Sequence, residues 1–132
     1  VSVIIPTYNR AHLIGRCIAS VQRQTFADWE LIVSDDGSTD NTREVVEALA
    51  DPRIQYVRQP NGGAARARNG GVAQSRGGLI TFLDSDDEAD ARWLEKLSAP
   101  FADSSVGVVC CGVKIFNKDG LVIKQFLPDD LG

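Results

Sequence analysis

Apolar and polar positions along this chain follow two periods in turn. Residues 1–5 are a short apolar run stopped by Pro6, the pattern of a buried strand. Leu13, Ile14, Cys17, Ile18 and Val21 then recur at helical spacing, which predicts an amphipathic helix over 11–24. Further apolar runs at 29–33, 54–57 and 79–83 predict three more strands. Between them, 41–50 reads as a helix with Val45, Val46 and Leu49 inward. Asn41 with Glu44 makes a capping-box-like start, and Asp40 is the other cap candidate. Residues 64–75 read as a helix of small residues, weakened by Gly70 and Gly71. A fourth helix over 91–101 carries Trp93, Leu94, Leu97 and Phe101 on one face. The apolar, β-branched stretch 106–116 predicts a strand, and 117–120 a turn into a last strand over 121–126.

Strand–helix alternation repeated four times predicts an α/β fold: right-handed crossovers and a mostly parallel sheet with helices on both faces. Such sheets bind ligands beyond the carboxyl ends of their strands. The unusual polar residues of this chain cluster there. They are Pro6-Thr7-Tyr8-Asn9-Arg10, Asp35-Asp36-Gly37-Ser38, Gln59-Pro60-Asn61-Gly62-Gly63 and Asp84-Ser85-Asp86-Asp87, one segment after each strand.

Composition narrows the function. With 132 residues the chain is one domain's worth, 1–132. Its 18 acidic and 14 basic side chains give a net charge of −4, which argues against a nucleic-acid binder. No apolar stretch approaches the ~20 residues that cross a bilayer, and no basic-then-apolar leader opens the chain. The chain contains no Met and starts directly on an apolar run, which suggests a piece of a longer protein. Cys17, Cys110 and Cys111 have no CxxC partner and no adjacent His, so they read as small buried hydrophobes in a reducing compartment.

Asp84-Ser85-Asp86-Asp87 is the sharpest chemical signal. Three carboxylates in four residues repel one another, and a hard divalent cation, Mg²⁺ or Mn²⁺, removes that penalty while sharing its shell with a ligand's phosphates. An acidic loop capping the next helix is the alternative. Asp35-Asp36-Gly37-Ser38 offers a carboxylate to a base or ribose, although the same string makes an ordinary turn and cap. Tyr8 offers a ring for stacking, or else packs. Asn61-Gly62-Gly63 followed by Arg66 and Arg68 looks like a helix start able to receive anions, with one of the two arginines facing the site. His12 reads as a surface residue. A glycine-rich dinucleotide turn, a phosphate loop and a Ser-His-Asp arrangement are all absent from the sequence.

The opening Val1-Ser2-Val3-Ile4-Ile5-Pro6-Thr7-Tyr8-Asn9-Arg10 resembles that of the family 2 inverting glycosyltransferases with a Rossmann-like GT-A fold, which binds nucleoside-diphosphate sugars. Gln24-Thr25-Phe26, Asp35-Asp36-Gly37-Ser38-Thr39-Asp40, Asn61-Gly62 with Ala67-Arg68-Asn69, and Phe82-Leu83-Asp84-Ser85-Asp86-Asp87 follow in the family's order. The resemblance implies a nucleotide-sugar donor, a UDP-sugar, bound by Pro6, Tyr8, Asp35, Asp36, Arg68, Asp84 and Ser85. Tyr8 would lie against uracil, Asp36 would accept from its N3–H, and Asp84 would approach the ribose or the sugar. Asp86 of the DxD motif would hold Mg²⁺ or Mn²⁺, with Asp84 or Asp87 as alternatives. It also implies a glycan, lipid-linked or other hydroxyl acceptor and a place in the cytoplasm or at the inner face of the membrane.

The family's catalytic base comes from a later part of the domain, so the base is expected beyond Gly132 and the fold is expected to be incomplete at its C-terminus. Asp129 and Asp130 are not nominated for that role. Two other readings compete: a non-catalytic nucleotide-binding module of the same fold, and a nucleotidyltransferase. The second lacks the basic, glycine-rich loop it needs after the first strand.

Overall fold

The structure, a computed structural model, describes residues 1–117 and 119–126; Asp129 and Asp130 lie outside the described residues. The chain divides into two compact units, Val1–Glu95 and the residues from Lys96 onward.

The first unit holds four parallel strands in the order β3-β2-β1-β4. They are β1 (Ser2–Thr7), β2 (Glu30–Asp35), β3 (Ile54–Arg58) and β4 (Ile80–Phe82), as the apolar runs predict. Helix α1 (Ala11–Gln22) joins β1 to β2, α2 (Thr42–Glu47) joins β2 to β3, and α3 (Ala64–Gln74) joins β3 to β4. The first two crossovers step in one direction along the sheet and the third steps back past β1. With handedness fixed, that reversal sends α3 to the opposite face from α1 and α2.

On the α1 face, Val3, Ile5, Leu31 and Val33 bury against Ile14, Cys17, Ile18 and Val21. Each such aliphatic side chain contributes about 1.5–3 kcal/mol relative to an exposed one. On the other face α3 lies over β1 and β2. Ser34 Oγ donates to Ala67 O at 2.7 Å, fastening helix to sheet. A Cβ on Gly71 would fall well inside contact distance of Ile4 Cγ2, so the glycine that weakens this helix locally is what lets it close on the strand.

Cover is incomplete at the edge. β4 carries Ile80 and Phe82 more than 40% exposed, at 43% and 44%, because α3 does not extend over it. Helices thus flank the parallel sheet on both faces as predicted, with the cover of α3 centred on β1 and β2.

Helix ends follow local chemistry. Asp40, rather than Asn41, supplies the cap: its Oδ1 accepts from Thr42 N at 3.1 Å, and its Oδ2 accepts from Ala11 N at 3.1 Å at the start of α1. α2 stops short of residue 50, where Ala50 turns to φ +49°. The predicted helix over 91–101 resolves into α4 (Trp93–Ser98) and a 3-10 turn, Ala99–Ala102. Pro100 sits in that turn with no N–H for an α-helical bond.

In the second unit β5 (Val113–Phe116) and β6 (Val122–Phe126) form an antiparallel hairpin whose first rung is Val113↔Phe126. The strand predicted over 106–116 is confined to its last four residues; 106–112, with Gly107 and Gly112, pair with no strand among the described residues. Cys110 and Cys111 are exposed there, which corrects their reading as buried hydrophobes; Cys17 is buried as expected. Among the described residues no helix is long and apolar enough to cross a membrane.

Candidate functional site

All four polar segments stand on the carboxyl rim of the sheet, and they do not play equal parts. Leu83 N donates to Ile4 O at 3.0 Å as the last rung between β4 and β1. Pro6, with no N–H to give, falls beyond that rung, where β1 is paired only with β2 through Ser34. The strand order reverses here, between β1 and β4, which makes this the switch point where such sheets take ligands.

Two loops are stitched together beside it. Asn9 adopts a left-handed backbone, φ +53°, and its Oδ1 accepts from Thr39 N at 2.8 Å and Asp40 N at 3.3 Å. Ser38 Oγ accepts from Asn9 N at 2.8 Å and donates to Asp35 Oδ1. Tyr8, one residue before this anchor, is 47% exposed.

Asp35 and Asp36, adjacent in sequence, have different surroundings. Asp35 is fully buried; Ser38 occupies Oδ1, the Tyr56 hydroxyl donates to Oδ2, and Arg58 Nε stands 3.8 Å from Oδ2. Asp36 points to the third loop. Its Oδ1 accepts from Gln59 Nε2 at 2.9 Å and Gly62 N at 3.0 Å, and its Oδ2 from Gly63 N at 2.7 Å and, shared, Gly62 N at 3.1 Å. Burial alone raises this carboxyl, but those hydrogen bonds and the Arg66 charge outweigh it and hold it below the usual range.

The amides of Gly62 and Gly63, expected to receive a ligand's anion, thus already hold an anion of the chain itself. Gly37 makes the approach feasible: at φ +82° a Cβ there would stand 3.0 Å from Asn61 N.

Of the two arginines Arg68 meets the acidic turn, its Nη2 donating to Asp84 Oδ1 at 2.6 Å. Arg66 is exposed, folds back along Gly62 and reaches Asp36 through charge alone. In the acidic turn Asp87 N donates to Asp84 O at 3.0 Å, and Ser85 is buried. Burial, then the charges of Asp86 and Asp84, push the Asp87 carboxyl above its ordinary value, while Arg16 draws it down. Among the described residues no three metal-ligating side chains converge into a cage.

Sequence reasoning missed the supports beneath these groups. Gln59 orients Asp36, Arg16 Nη2 donates to Asp86 O at 3.1 Å, and Cys17 Sγ donates to Asp84 O at 3.3 Å. For Cys17 the only signal was its place on the inward face of α1.

Comparison with known proteins agrees with this geometry. Over 132 residues the chain is 39% identical to the UDP-Glc:alpha-D-GlcNAc-diphosphoundecaprenol beta-1,3-glucosyltransferase WfgD of Escherichia coli, covering 99% of this chain and 52% of WfgD. It is 44% identical over 116 residues to the validoxylamine A glucosyltransferase of Streptomyces hygroscopicus subsp. jinggangensis, covering 84% of this chain and 28% of that enzyme. The chain thus spans about half or less of these relatives.

Among solved structures, Staphylococcus aureus TarS in complex with UDP superposes with a TM-score of 0.71 at 32% identity, covering 78% of this chain and 32% of that one. The Pyrobaculum calidifontis mannosyltransferase PcManGT, in complex with GDP-Man and Mn²⁺, gives 0.78 at 32% identity, covering 86% and 35%. Both neighbours have the GT-A fold that the rim motifs imply. The model of the family described as Glycosyl transferase family 2 matches residues 2–127, and the chain belongs to that family.

Proposed function

We propose that this chain is the donor-binding part of an inverting, metal-dependent glycosyltransferase that moves a sugar from a UDP-sugar to a hydroxyl of a glycan or lipid-linked acceptor. The observation that carries the reading is the Arg68–Asp84 pair at the switch point between β1 and β4, with Asp86 and Asp87 beside it. The half-exposed Tyr8 supports a base-stacking role. Asp36 would accept from the N3–H of the base, exchanging for that bond part of its contacts with Gln59 Nε2, Gly62 N and Gly63 N. Pro6 and Ser85 line the same rim. Asp35, with both oxygens engaged, supports the Ser38 turn behind the base.

The acidic turn suits Mg²⁺ or Mn²⁺: its donors are hard oxygens, and the crowding seen at Asp87 is what a cation relieves. Asp86 would hold it, with Asp84 or Asp87 as alternatives, and diphosphate oxygens and water would complete a shell that the described residues do not close. Bound there, the cation would act as a Lewis acid toward the departing nucleoside diphosphate. Arg68 balances the Asp84 charge and holds it toward α3.

The relatives favour the same class: WfgD is named for UDP-Glc and a diphosphate-linked lipid, and TarS binds UDP. Calorimetry with UDP and GDP, with Mn²⁺ and with EDTA, tests the reading. UDP is expected to bind with Mn²⁺, and Asp86→Ala to weaken that binding more than tenfold. Failure of UDP to bind with Mn²⁺ overturns it; preference for GDP overturns the donor assignment.

A further inference from the structure

Gln24-Thr25-Phe26 lies just past α1, far in sequence from the acidic turn, yet it holds the backbone that follows that turn. Gln24 is buried; its Nε2 donates to Asp90 O at 2.7 Å, and its Oε1 accepts from Leu94 N at 2.9 Å. Thr25 N donates to Ala91 O at 2.8 Å and Thr25 Oγ1 to Glu95 Oε2 at 2.9 Å. One turn back, Ser20 Oγ accepts from Ala89 N at 3.0 Å. Arg16 and Cys17 reach the carbonyls of Asp86 and Asp84.

Positions 16 or 17, 20 and 24 are spaced by about four, so one stripe of α1, continued by Gln24 just past its end, meets the segment from residue 84 to residue 94 along its length. Residues 84–92 contain no helix or strand, so their backbone groups have no ladder of their own. The stripe supplies the partners.

We propose that Gln24 is a positioning residue for the acidic turn. By holding Asp90 and Leu94 together it anchors the far end of the segment, and Arg16 and Cys17 hold the near end, so Asp84, Asp86 and Asp87 keep a fixed stance despite mutual repulsion. Displacing such a group by about 1 Å costs on the order of a hundredfold, which is why the anchor matters to the donor site. The proposal rests on the donor reading given above.

The test is calorimetry of UDP with Mn²⁺ and with EDTA, on Gln24→Met and Ser20→Ala, together with hydrogen exchange of the Ala89 and Leu94 amides. Gln24→Met keeps the length and removes the side-chain hydrogen bonds to Ser20 O, Asp90 O and Leu94 N. Its Mn²⁺-dependent affinity for UDP is expected to fall at least tenfold, while affinity in EDTA changes less than twofold. Ser20→Ala, which removes the acceptor of Ala89 N and the bond from Ser20 Oγ to Cys17 O but leaves Gln24 in place, is the milder variant should Gln24→Met not fold, and is expected to lose about threefold with Mn²⁺ only. Unchanged Mn²⁺ dependence, or equal losses with and without metal, overturns the proposal. If the wild-type chain binds no UDP, the donor reading falls by itself. In that event unchanged exchange at Ala89 and Leu94 in Gln24→Met overturns the anchoring, and at least tenfold faster exchange sustains it.

Discussion

Gly71 of α3 lies against Ile4 of β1 so closely that no side chain fits between them; a Cβ would fall inside contact distance of a fully buried, β-branched neighbour. Gly71→Ala gains up to about 1 kcal/mol of helix propensity but forces overpacking that costs about 1–3 kcal/mol, so a net loss is expected. Gly15 in α1 is the control: a Cβ there would meet Val45 Cγ1 at 3.9 Å, ordinary contact. Gly15→Ala is expected to stabilise by about 0.5–1 kcal/mol. Urea midpoints of the two variants should move in opposite directions with unchanged slope. A more stable Gly71→Ala would refute the close packing.

These two glycines also mark what a sequence conveys. The apolar runs announced β1 to β4, most plainly β1 and β2, because a strand buried on both faces must be apolar throughout, and the polar segments after them announced the rim. Gly70 and Gly71 signalled only a weak helix, since close packing is visible solely from the partner, Ile4. The glycines before α3 looked like an open anion site because the anion, Asp36, is 26 residues earlier and meets Gly62 only in the fold. Stretch 106–116 looked like one strand because β-branching reports on a residue's fit to a ladder and not on whether a partner exists.

Acid should act through Glu30. Its Oε1 accepts from Ser2 Oγ at 2.7 Å and Arg76 N at 2.6 Å, and its Oε2 from Arg76 Nε at 2.9 Å. Burial raises this carboxyl, but the Ser2 hydroxyl and the two Arg76 contacts outweigh it and bring it from 4.5 to about 2. A lowered native value means stability that is present above the ordinary value and lost as pH falls through the native one. Between pH 4.5 and about 2 this group should therefore withdraw up to about 2–3 kcal/mol, less for the share carried by exposed Arg76. Urea denaturation of Glu30→Gln across that range should show a flatter acid limb than wild type. An equally steep limb would exclude Glu30 as the cause.

Thiol chemistry should separate the three cysteines. Burial first, then the charges of Asp87, Asp86, Glu88 and Asp84, push the Cys17 thiol up to about 12, so it stays protonated and inert at pH 8. Cys110 and Cys111 are exposed. A colorimetric thiol titration of the native chain should count two reactive groups, and three in denaturant. Three in the native state would mean that α1 does not cover Cys17.

Tyr56 and Ser38 hold the same buried carboxylate from opposite sides and should be separable. Tyr56→Phe removes the hydroxyl on Asp35 Oδ2 and leaves only Arg58 Nε at 3.8 Å, at a cost of about 1–3 kcal/mol. Oδ1 keeps Ser38, and Ser38 keeps Asn9, so the loop carrying Tyr8 remains anchored. Ser38→Ala breaks that chain instead: Asn9 N loses its acceptor, and the residue at φ +53° is then held through its side-chain Oδ1 alone. Denaturation and UDP calorimetry should therefore diverge. Tyr56→Phe is expected to lower stability with less than a twofold change in affinity, and Ser38→Ala to lower affinity at least fivefold. Equal affinity losses in the two variants would mean that Asp35 meets the nucleotide itself.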